Sequence, residues 1–193
     1  GRHTAYQGDG SMGEGTTALA RAAKSADAAM IKVLLDGGAD PRITQKDGTT
    51  VAMIATSARG QRMYAATASV GTPATEEDAL AALQLLLNSP LDVNAANANG
   101  QTALHNAAAR GADTIVRYLV DKGARLDARD RVGRLPIDMA RGAGGGRGRG
   151  NAAGEVRPTT VALLNDLMTS KGIPVPPAPS AAPAPAGEAG AQQ

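Results

Sequence analysis

Catalysis and ligand binding need groups that titrate, ligate or attack, and this chain holds few of them at a useful spacing. It has two histidines, His3 and His105, and no cysteine. Without a thiol there is no disulfide, no thiolate nucleophile and no thiolate metal ligand. His105 would act as a general base only beside an exposed nucleophile and an orienting acid. No G-x-S-x-G context supplies one, and His3 has no companion at metal-ligand spacing. The expectation is a protein that is not an enzyme, with no cofactor and no metal.

The acidic residues are plentiful but periodic. Asp40, Asp92 and Asp127 read as one recurring position, and Asp47 and Asp130 as residues entering a turn. A catalytic carboxylate pair has no reason to recur, whereas turn Asp residues do so because they bond nearby backbone N–H groups. The segment Gly142-Ala143-Gly144-Gly145-Gly146-Arg147-Gly148-Arg149-Gly150 is the sharpest remaining signal. It lacks the Gly-Lys-Ser/Thr of a phosphate loop. It does resemble an Arg-Gly segment, which grips single-stranded RNA by charge and by stacking guanidinium groups on bases. Nucleic-acid binding through 142–150 with Arg110, Arg131 and Arg134 is therefore the alternative to protein binding, and a flexible insertion is the plainer role.

The elements that must position these residues follow from a repeated phrase. Thr17-Ala18-Leu19, Thr50-Val51-Ala52, Thr102-Ala103-Leu104 and Leu135-Pro136-Ile137 each follow a Gly by two residues. The first pair and the last pair are 33 residues apart, and the middle interval of 52 is the same period with an insertion of 19. A 33-residue period marks a solenoid whose units bury their apolar sides only against neighbours. Composition agrees: 42% of the 193 residues are hydrophobic, yet there is no Phe or Trp and only three Tyr. Ala-rich apolar content suits closely packed helices better than sheets.

Each unit reads as two helices. A Thr N-cap opens short helices over Leu19–Ala23, Met53–Ala58 and Leu104–Arg110, and a fourth runs over Ile137–Arg141. Apolar residues at helical spacing then mark a second helix, Met30 to Leu35 in the first unit and Ile115 to Val120 in the third. Gly37-Gly38 and Gly123 supply left-handed stops. Thr75 before Glu76-Glu77-Asp78 announces another helix start. Two insertions, around 59–75 and 142–157, fall at the same turn of the unit and so on one edge of the stack.

With these elements in place, the residues resemble the ankyrin repeat. Gly100-Gln101-Thr102-Ala103-Leu104-His105-Asn106-Ala107-Ala108, then Ile115-Val116 and Gly123-Ala124, carry the likeness most fully. Gly38-Ala39-Asp40 and Pro136 add to it. It covers roughly residues 12–173, divided as 12–44, 45–96, 97–129 and 130–173. Residues 1–11 then read as the remnant of an upstream repeat and 174–193 as a disordered Pro/Ala-rich tether.

The resemblance implies an all-α ankyrin-type solenoid of helix pairs with β-turn fingers, acting as a non-catalytic protein-interaction module. It implies that His105 braces one repeat against the next. It also implies a concave surface made by the fingers and the first helices. Position by position, that surface would present Lys24, Lys46, Asp47, Asn99, Gln101, Arg110, Arg131 and Arg134. The three arginines would carry most weight, against an acidic patch on a protein partner. Tyr64, in the first insertion, is the aromatic expected to be available, and Tyr118 is expected in the core.

The remaining expectations are coarse. Twenty basic and 18 acidic residues leave a net charge of +2, too balanced to draw the whole protein to nucleic acid or membrane. No apolar run reaches the ~18 residues of a membrane span. Cytoplasmic and periplasmic or secreted locations are both compatible. The Ala, Gly, Arg and Pro content fits a GC-rich, bacterial source.

Overall fold

The computed structural model describes residues 15–57, 75–143 and 155–177. Among these, every regular element is helical and no strand is present. The helices are α1 (Ala18–Lys24), α2 (Ala28–Asp36), α3 (Val51–Thr56), α4 (Glu76–Leu87), α5 (Ala103–Arg110), α6 (Asp113–Asp121), α7 (Pro136–Asp138) and α8 (Pro158–Ser170). A π-helical turn, Met139–Ala143, continues α7.

They stack in two layers. α1, α3, α5 and α7 with its π turn pack in succession as an inner row, while α2, α4, α6 and α8 form an outer row behind them. This is the solenoid expected from the 33-residue period, with the all-α helix pairs that the resemblance to the ankyrin repeat implies. The inner row is narrow because one position is always small. Ala22, Ala55, Ala107 and Ala140 stand five residues after the four N-caps, and all are buried. The larger side chains, among them Leu83, Leu86, Ile115, Leu119, Leu164 and Met168, fill the space between the rows. Interiors packed to crystal-like density tolerate little else. Tyr118 is half-buried at the margin of this core, and the Lys122 ammonium lies 5.5 Å from its ring centre.

The starts of the helices follow their capping residues. Thr17 accepts from the Ala20 N–H at 3.1 Å, Thr50 from Met53 at 3.2 Å and Thr75 from Asp78 at 3.2 Å. Asp78 returns the favour by accepting the Thr75 N–H at 2.8 Å, a complete capping box. The ends depart from the sequence expectation in two places. α3 stops at Thr56, because the Ser57 hydroxyl bonds the Met53 carbonyl at 2.9 Å and competes with continuation. α7 has only three α-helical residues before the π turn, which Gly142 closes at φ +88°.

Between outer and inner helices the chain makes fingers of stacked β-turns. Gln45, Asn97 and Asp130 open them: each N–H bonds the carbonyl four residues on, at 2.9, 3.0 and 2.9 Å. Each finger also bonds the next. The Ala98 N–H donates to the Asp47 carbonyl at 2.7 Å, and the Arg131 N–H to the Asn99 carbonyl at 2.9 Å. One register expectation is corrected here. Asp127 is not the equivalent of Asp40 and Asp92: counted back from the finger glycines, Arg125 holds that place and Asp127 matches Arg42 and Asn94. The ion pair is therefore reversed between repeats, Asp40 with Arg42 at 3.0 Å and Arg125 with Asp127 at 3.2 Å.

Residues 58–74 and 144–154, which contain most of both insertions, lie outside the described residues, as do 1–14 and 178–193. Pro174–Pro177 are described, and they lie against the end of the stack rather than leading away from it as a tether. Among the described residues, no helix is long and apolar enough to cross a membrane.

Candidate functional site

The candidate surface is built on the finger turns, and a side chain inside each turn decides its shape. Asn97 Oδ1 accepts the N–H groups of Asn99 and Gln101 at 2.9 and 3.0 Å. Asp130 Oδ1 does the same for Val132 and Arg134 at 3.0 and 2.9 Å. Asp130 then adds an ion pair, with Oδ2 2.7 Å from the Arg134 guanidinium. Its side chain is 1% exposed, so this is a buried charge with all its partners present. Burial pushes its carboxyl up, but the Arg134 N–H, the Arg134 guanidinium and the Val132 N–H outweigh that and hold it below the usual range.

His105 ties this finger to the helix before it. Its Nδ1 accepts the Thr102 N–H at 3.2 Å, which leaves Nε2 as the protonated nitrogen, 3.2 Å from the Arg134 carbonyl. Burial is the largest influence on the ring and lowers its pKa, against smaller raising effects from the Arg134 carbonyl and Asp130. His105 is thus a neutral brace between repeats, and the hydroxyl beside it, Thr102 Oγ1 at 3.0 Å from Nδ1, is buried with it.

The expected binding residues divide into two groups. Lys46 and Asp47 are exposed at the second fingertip, Asn99 at the third and Arg131 at the fourth. Val132, beside Arg131, is 72% exposed. Asp47 is also occupied locally, accepting the Thr49 N–H and hydroxyl at 2.9 Å each. The other group faces inward. Gln101 and Lys24 are half-buried. Arg110 donates to the Thr56 carbonyl at 2.6 Å and so caps the end of α3 from the next repeat. Arg134 donates to Asp130 and to the Ala143 carbonyl at 2.6 Å. Tyr64 and residues 144–150 of the Arg-Gly segment lie outside the described residues.

Several working residues carry no obvious mark in the sequence. Asn106 reaches the Met53 carbonyl at 3.4 Å beside the Arg110 contact. Glu76 accepts the Thr114 N–H at 2.8 Å, joining the starts of α4 and α6. The Thr160 hydroxyl bonds Asp113, joining α6 to α8. Only the last turn of α5 gives a clue, since Asn106 and Arg110 stand one helical turn apart on one face.

Two hollows of about 450 and 470 Å³ lie between successive connectors, at Leu35–Pro41–Pro90 and at Asn94–Arg125–Arg129. Among the described residues, no three His, Cys, Asp or Glu side chains converge as a metal site.

Comparison with known proteins agrees with the fold. The family model for "Ankyrin repeats (many copies)" matches residues 85–140, from the end of α4 to the π turn. A curated relative, a transient receptor potential cation channel subfamily A member 1 homolog from Caenorhabditis elegans, is 29% identical over 126 residues. That stretch is 65% of this chain but only 9% of the relative, so the likeness concerns a small part of a much longer protein. Paired helices, stacked turn fingers and a histidine brace occur in the matched segment, so residues 85–140 are similar to ankyrin repeats in both sequence and build.

Proposed function

We propose that this chain is a non-catalytic protein-binding module whose contact surface is the row of fingertips. Ankyrin repeats generally serve protein–protein interaction, which is the coarse function the family match supports. One observation carries the finer reading: successive fingers are hydrogen-bonded backbone to backbone, at 2.7 and 2.9 Å. Lys46, Asp47, Asn99, Arg131 and Val132 are thereby held as one fixed array, and a preordered array loses little entropy on binding. Arg131 beside exposed Val132 offers a cation with an apolar neighbour, suited to an acidic segment of the partner. Arg110 and Arg134 support the array from within.

Position-specific photo-crosslinking tests this reading. A crosslinker replacing Asn99 or Val132 should trap a discrete protein species in cells of the source organism. One replacing Arg117, exposed on outer helix α6, should not. Trapping from Arg117 alone would overturn the assignment. A species that disappears on nuclease treatment would favour nucleic acid, the reading that rests on the Arg-Gly segment 142–150.

A further inference from the structure

Three of the four outer helices, α2, α6 and α8, share one exit, and the last of them delivers a proline-rich segment. Gly38, Gly123 and Gly172 hold φ of +86°, +91° and +66°. The residue after each turns its N–H back onto the helix: Ala39 onto Leu34, Ala124 onto Leu119 and Ile173 onto Met168, all at 2.9 Å. After Ala39 and Ala124 the chain runs on to the next finger. After Ile173 the same exit leads to Pro174-Val175-Pro176-Pro177.

What receives this segment is a variation on the histidine brace. Asp138 stands three residues after the N-cap of α7, the place that His105 holds in α5. His105 accepts the N-cap N–H and donates to a carbonyl of the following finger. Asp138 performs the first task, with Oδ2 accepting the Leu135 N–H at 2.9 Å. A carboxylate cannot perform the second, because it has no hydrogen to donate. Arg141 does so in its stead. Its guanidinium lies 3.4 Å from Asp138 Oδ1 and donates to the carbonyls of Pro177 at 3.3 Å and Pro176 at 3.1 Å. The Arg141 and Asp138 side chains are only 12% and 21% exposed. Extended proline-rich backbone suits such a fork, since its carbonyls have no partners within the segment.

We propose that Asp138 and Arg141 form a carbonyl-reading site for an extended proline-rich peptide, occupied in cis by Pro174–Pro177. A proline-rich partner segment would then compete with the chain's own. The cis contact is exchangeable: three of its four residues have no N–H to anchor it, and Pro174, Val175 and Pro177 are exposed. This site is at the end of the stack, distinct from the fingertip array, and does not depend on that array being a binding surface.

The test uses a labelled peptide of residues 174–180, the full chain, and a chain ending at Ile173, with fluorescence anisotropy as readout. The shortened chain should bind at least about 10-fold more tightly, because the intact tail competes at an effective concentration near millimolar. Arg141→Gln in the shortened chain should abolish binding. A peptide with Gly at positions 176 and 177 keeps the carbonyls but loses preorganisation, and should bind about 10-fold more weakly. Equal affinity for both chains, no saturable binding to a shortened chain whose circular dichroism is unchanged, or equal binding of the Gly peptide would each overturn the proposal. Nuclear Overhauser contacts between Arg141 and Pro176 in the intact chain supply a check that needs no truncation. Their absence would overturn it as well.

Discussion

His105 shows how much a single residue's chemistry depends on what its neighbours already hold. The Thr102 N–H fixes the tautomer, so the ring meets the Arg134 carbonyl as a donor and must stay neutral to keep both contacts. Burial lowers its folded-state pKa below the ordinary 6.5. A group whose pKa falls on folding contributes its full stability above the unfolded value and loses it as pH drops through the folded one. The urea midpoint of the native chain should therefore decline between about pH 7.5 and 5.5, and His105→Gln should flatten that decline while lowering the midpoint at pH 7.5. A decline of the same size in His105→Gln would remove His105 as its cause. The bracing role of His105 came from the resemblance of its phrase to the ankyrin repeat, since spacing alone says only that no G-x-S-x-G context or metal partner accompanies it. The role of Asp130 was only half legible. Its turn position and its i,i+4 pairing with Arg134 lie within one finger and could be counted from Gly133, but its burial arises where that finger lies against the one before. Spacing in one dimension does not record that contact. For the same reason Arg110 and Arg134 look like surface cations in the sequence and are found bonded within the chain.

At the scale of the element, the fingers share a sequence signature but not an environment. Gly100 and Gly133 occupy the same turn position with left-handed φ of +72° and +84°. A Cβ on Gly100 would come within 2.9 Å of the Arg131 backbone nitrogen, while one on Gly133 would meet nothing within 4 Å. Gly133→Ala should therefore lose only the left-handed preference, about 1 kcal/mol. Gly100→Ala should lose that and a further 1–2 kcal/mol or so, because backbone cannot yield as a side chain does. Denaturant midpoints at unchanged m-value separate the two. Equal losses would mean that the third and fourth fingers are not in the close contact described. The helices themselves were largely readable, since Thr N-caps and glycine stops act within one turn and leave their mark in adjacent residues. Two boundaries were not. Ser57 ends α3 through a hydroxyl that also occurs inside helices, and the π turn after α7 has no local signature before Gly142.

For the whole molecule, the consequential fact is that every helix contacts only its own repeat and the next ones along. The outer helix α8 packs on α6, α7 and the π turn, and among the described residues it has no extensive packing against the helices of the first two repeats. Stability in such an array is close to a sum of repeat terms and neighbour interfaces, so damage should stay local. The Asp113–Thr160 bond and the buried Leu164 and Met168 couple α8 to α6 in the outer layer at this end. Leu164→Ala leaves a cavity in that interface and should reduce stability there by about 2–5 kcal/mol. Native-state hydrogen exchange should then show amides of α7 and α8 losing protection first, α5 and α6 less, and α1 to α4 least. In a globular domain with one shared core, all eight helices would lose protection together, and that result would contradict the nearest-neighbour stack. The gradient also bears on binding. If the fingertips act as one array, loosening the last repeat should free Arg131 and Val132 while leaving Lys46 and Asp47 in place, so partner contacts at the two ends can be weakened one at a time.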